Sequence, residues 1–108
     1  MPKPEVKMED VEQLGGNIEL TGFRDIDQSS MVILKKIIGN YAKRMSELTA
    51  FERLHVTMKT VHETEKGEKY DIHAKLLSNG KPLVAETVER NLFAAVDSAL
   101  KKIVHEIK

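Results

Sequence analysis

Residues 69–88 read KYDIHAKLLSNGKPLVAETV, and this stretch decides the fold. Tyr70, Ile72, Ala74 and Leu76 alternate with Lys69, Asp71, His73 and Lys75, the period-two pattern of a strand with one face in a core. Ser78-Asn79-Gly80-Lys81 comes next. Asn-Gly tolerates positive φ at both central positions of a two-residue turn, so the chain reverses there. Pro82–Val88 then returns as a second strand.

Working outward, Leu54, Val56 and Met58 alternate with His55, Thr57 and Lys59, an earlier strand joined to the hairpin through the charged turn Glu63–Glu68. Asn17–Phe23 alternates in the same way, and Gly22 ends it. Asp27 is a helix cap, and Leu34, Ile37, Ile38, Tyr41, Met45 and Leu48 form one helical stripe over residues 28–48. Gly39 weakens that helix by about 1 kcal/mol without ending it. Asn91 caps a final helix whose stripe is Leu92, Phe93, Val96, Leu100, Ile103, Val104 and Ile107. The expected fold is α+β with order β-α-β-β-β-α: a four-stranded mixed sheet with two helices packed on one face. The first crossover makes its two strands parallel neighbours, and the other strands form a meander. Residues 1–16, with Pro2, Pro4, alternating charges and a closing Gly15-Gly16, are expected to be a flexible N-terminal arm.

At 108 residues the chain has room for one domain, and 41% hydrophobic with 31% charged residues is an ordinary soluble composition. The absence of cysteine excludes disulfides, thiol catalysis and cysteine zinc sites. MPKPEVKMED lacks the apolar stretch of a signal peptide, and no apolar run reaches membrane-spanning length, so a cytoplasmic location is expected. There is no HExxH, no carboxylate pair in an apolar setting and no serine elbow. The expectation is therefore a protein that is not an enzyme, with no cofactor, no metal and no small-molecule substrate. His55 and His73 fall on the polar faces of neighbouring strands, with Asp71 and His62 close in sequence. Such residues are a ligand set for a metal, but exposed histidines on an open sheet face are the preferred reading.

Net charge is zero, which argues against phosphate binding until its distribution is considered. Residues 28–50 carry Lys35, Lys36, Lys43 and Arg44 against Glu47 alone. On a helical wheel Lys36 and Lys43 lie within about 20° of each other, opposite the apolar stripe, with Lys35 and Arg44 flanking them. The last helix carries Lys101, Lys102, His105 and Lys108 away from its own stripe. If both helices pack side by side, these eight residues share one outward surface, which suits the phosphates of a folded RNA. Lysines opposite an apolar stripe are also what a solvated helix displays, and taken alone the pattern fits that better. With no Trp, reading of single strands through stacked bases is disfavoured.

The run Leu83-Val84-Ala85-Glu86-Thr87-Val88-Glu89-Arg90-Asn91-Leu92-Phe93-Ala94-Ala95-Val96-Asp97 resembles the end of the ribosome hibernation-promoting factor family, which includes ribosome-associated inhibitor A (protein Y). Ile18-Glu19-Leu20-Thr21-Gly22 resembles the family's opening strand, and Leu54–Met58 its second. The resemblance spans residues 17–108, and it implies a hibernation-factor-like RNA-binding domain. A member occupies the decoding region of the small ribosomal subunit, basic helix faces against ribosomal RNA, and so regulates translation under stress. Lys102, His105 and Lys108 fall at or near the family's basic positions, and Lys36, Lys43 and Arg44 supply the basic face of the first helix. Asn91 stands where the family usually has Asp, and Phe93 where it usually has Tyr. Long members carry a second domain that pairs ribosomes; a chain ending at Lys108 is a short form, expected to silence single ribosomes. Two alternatives remain. One is a general double-stranded RNA-binding module, whose lysines usually sit at the start of the last helix. The other is a protein-interaction domain on the open sheet face, with Val84 and Val88 as anchors.

Overall fold

The computed structural model describes residues 11–14, 16–63, 65 and 67–107. Its elements are β1 (Val11–Gln13), β2 (Ile18–Thr21), α1 (Gln28–Leu48), β3 (Arg53–Glu63), β4 (Gly67–Ser78), β5 (Lys81–Glu89) and α2 (Leu92–Ile107). The turn that decides the fold has the expected backbone: φ is 54° at Asn79 and 73° at Gly80. It seats Ser78 opposite Lys81 and fixes the register outward to Tyr70 opposite Glu89.

The four expected strands lie in the order β2-β3-β4-β5. β2 and β3 are parallel, and the other two pairings are antiparallel. β1 adds a fifth, three-residue strand antiparallel to β2, pairing Val11 with Thr21. The expected N-terminal arm therefore does not include Val11–Gln13, which join the sheet, and residues 1–10 lie outside the described residues. The link is tight, for the Leu14 N–H donates to the Ile18 carbonyl at 2.7 Å.

Both helices cover the same face. Leu20, Leu54, Val56, Ile72, Ala74 and Leu76 of the sheet are fully buried, with Leu34, Ile38 and Met45 of α1 and Val96, Leu100 and Ile103 of α2. On α1 the stripe runs through Ala42, which is buried, and leaves Leu48 of the last turn 40% exposed. Both caps form as expected. Asp27 Oδ2 accepts the Ser30 N–H at 3.0 Å, and Asn91 Oδ1 accepts the Ala94 N–H at 3.0 Å. Two polar contacts lock the layers. The buried Thr87 hydroxyl donates to the Ala95 carbonyl at 2.7 Å, tying β5 to α2. The Tyr41 hydroxyl donates to Asp97 Oδ1 at 2.9 Å, tying α1 to α2.

Candidate nucleic-acid interface

The pairing of Tyr41 with Asp97 marks the flanks on which α1 and α2 face each other. Arg44, one turn after Tyr41, and Lys101, one turn after Asp97, are carried to the same seam. With His105, Tyr41 and Val104 they line a groove of about 340 Å³ between the helices. Arg44, Lys101 and His105 are all exposed. The carboxylate in their midst is Asp97, half-buried and already accepting the Tyr41 hydroxyl. Burial first, and then the hydrogen bond to Asp97, push the Tyr41 phenol up to about 12.

Lys36 and Lys43 are exposed on the outward side of α1, about 80–100° around the helix axis from Arg44 and away from the buried stripe. Around the helix axis Lys35 stands about 180° from Arg44, so it belongs to the opposite flank. There it lines a separate concavity with Phe23, Arg24, Ile26, Gln28, Met31 and Val32. Lys102 lies on the far flank of α2, where its Nζ donates to the Glu86 carbonyl of β5 at 3.1 Å. Lys108 lies outside the described residues. Of the eight residues singled out from sequence, the fold brings Arg44, Lys101 and His105 into one groove, with Lys36 and Lys43 exposed on the outward side of α1. It sends Lys35 and Lys102 elsewhere. The Tyr41–Asp97 contact at this seam is not legible from sequence, because Tyr41 sits on an apolar stripe and reads as core.

The histidines of the open face do not combine. His55 Nε2 is 2.7 Å from the Thr21 hydroxyl, whereas His73 lies against Asp71 and Glu86. His62 pairs with Glu68 at 3.2 Å. Val84 and Val88 of β5, named as anchors for a protein partner, are 60% and 47% exposed.

Among the described residues no helix is long and apolar enough to cross a membrane. No protein-family model matches the sequence, and no curated protein matches it either. In structure the chain is similar to the N-terminal domain of Protein Y from Thermus thermophilus, with a TM-score of 0.57 and 15% identity. The match covers 85% of this chain and 92% of that one. At that identity the likeness is one of fold, and the chain is therefore an α+β domain built on the Protein Y N-terminal plan.

Proposed function

We propose that this chain is a ribosome-binding translation inactivation factor of the hibernation type, occupying the decoding region of the small subunit. Its outward helix surface lies against ribosomal RNA and excludes messenger and transfer RNA by occupancy, with no covalent chemistry. The observation that carries this reading is the interhelical groove, where Arg44, Lys101 and His105 meet, with Lys36 and Lys43 exposed on the outward side of α1. Guanidinium and ammonium groups are the side chains that bind phosphates, and the likeness to the Protein Y domain supports the choice of RNA. Formal neutrality of the whole chain is offset by distribution: the described acids nearest these cations are Glu47, exposed within one turn of Lys43 and Arg44, and Asp97, which already accepts the Tyr41 hydroxyl.

The test is co-sedimentation with small ribosomal subunits at low salt. Arg44→Glu with Lys101→Glu should abolish binding while the folded circular-dichroism spectrum is retained. Lys35→Glu with Lys102→Glu should leave binding within a few fold. Undiminished sedimentation of the first variant overturns the groove as the interface. Equal affinity for any duplex RNA favours a general double-stranded RNA module instead.

A further inference from the structure

The register of the β4–β5 hairpin puts His73 directly opposite Glu86, and Asp71 precedes His73 by two residues. The three side chains therefore leave the same face of the sheet, the one opposite the helices. His73 Nε2 is 3.3 Å from Asp71 Oδ1 and 3.2 Å from Glu86 Oε2. The three donor atoms all lie within 4.8 Å of one another.

One ring nitrogen thus faces two carboxylates. It carries at most one proton, so no protonation state of His73 gives each carboxylate a hydrogen of its own. The shortage is visible at Asp71, whose Oδ1 is shielded from solvent and accepts no hydrogen bond. A buried acceptor left this way is costly. A cation at the centre of the three atoms would satisfy all of them at once. Imidazole nitrogen and carboxylate oxygen bind tetrahedral Zn²⁺ at about 2.0–2.2 Å, which sets neighbouring ligand atoms about 3.3–3.5 Å apart. The separations at His73, 3.3 and 3.2 Å, are close to that edge length. From this geometry we infer that Asp71, His73 and Glu86 form a binding site for a divalent first-row cation, with Zn²⁺ the best match. With three protein ligands, at least one position stays open to water on the exposed sheet face.

The experiment is calorimetric titration of the dialysed full chain with zinc chloride at neutral pH, with melting temperature followed in parallel. One ion per chain is expected, with a melting temperature that rises with zinc concentration. His73→Ala should abolish binding, and Asp71→Asn and Glu86→Gln should each weaken it at least ~10-fold. His62→Ala and His55→Ala should leave affinity unchanged. Because the site is on the face away from the groove, His73→Ala should keep its ribosome sedimentation. The inference fails if zinc in large molar excess produces neither heat nor a thermal shift. It fails equally if one-to-one binding survives His73→Ala, which would place the ion elsewhere.

Discussion

Removing Arg44 and Lys101 together should flatten the salt dependence of RNA binding by a calculable amount. Four permanent cations belong to the proposed interface: Lys36, Lys43, Arg44 and Lys101. Each phosphate neutralised contributes about −0.7 to −0.9 to the slope of log K against log salt, so the native slope should be about −2.8 to −3.6. Between 50 and 200 mM salt the affinity should then fall roughly 50- to 150-fold. Arg44→Ala with Lys101→Ala halves the cation count, and the slope should drop to about −1.4 to −1.8. Lys102→Ala should leave the slope as it was, because that ammonium is engaged with the Glu86 carbonyl on another flank. Fluorescence anisotropy of labelled chain titrated with small subunits, across a salt series, reads these slopes. An unchanged slope in the double variant refutes the reasoning, as does a Lys102→Ala variant that loses as much slope as Arg44→Ala with Lys101→Ala.

Gly22 has φ +89°, and a Cβ there would collide with the Met58 carbonyl oxygen. Gly22→Ala should therefore cost about 2–4 kcal/mol in urea unfolding, since left-handed strain adds to a backbone collision. Thr87→Val keeps the volume but removes the hydroxyl from the Ala95 carbonyl, and the same measurement should show a loss of about 1 kcal/mol. Tyr41 titrates at about 12 in the fold against 10.0 for a free phenol. The folded state thus favours the protonated ring, and its contribution is full below pH 10 and lost as pH rises toward 12. Urea midpoints measured across that interval should fall, and Tyr41→Phe should flatten the fall.

The hairpin was legible because one turn fixes everything after it. Once Asn79-Gly80 is placed, Ser78 opposes Lys81 and simple counting puts His73 against Glu86. The juxtaposition of Asp71, His73 and Glu86 is thus implicit in the register, whereas His55 and His73 have Lys75 and Thr57 as their cross-strand partners and do not meet. Both caps were legible for a related reason: a side-chain oxygen before an amphipathic run has one local use. β1 was not legible. Val11-Glu12-Gln13 is too short to show a period, and its pairing depends on β2 offering an edge. The basic site was half legible. A helical wheel gives each lysine an angle relative to its own apolar stripe, but not which flank meets the neighbouring helix. That arrangement is tertiary: Tyr41 meets Asp97 at the seam, with Arg44 on the same flank and Lys35 on the other.

Lys102 shows what else a lysine can do on such a scaffold. β5 ends the sheet order, so its outer carbonyls would otherwise offer a template on which a second molecule could add a strand. An ammonium group seated on the Glu86 oxygen occupies one rung of that template, and Pro82 deletes an N–H from another. Sheet growth from one molecule to the next is thereby discouraged at the margin opposite β1, by a residue whose charge alone would suggest a role with RNA.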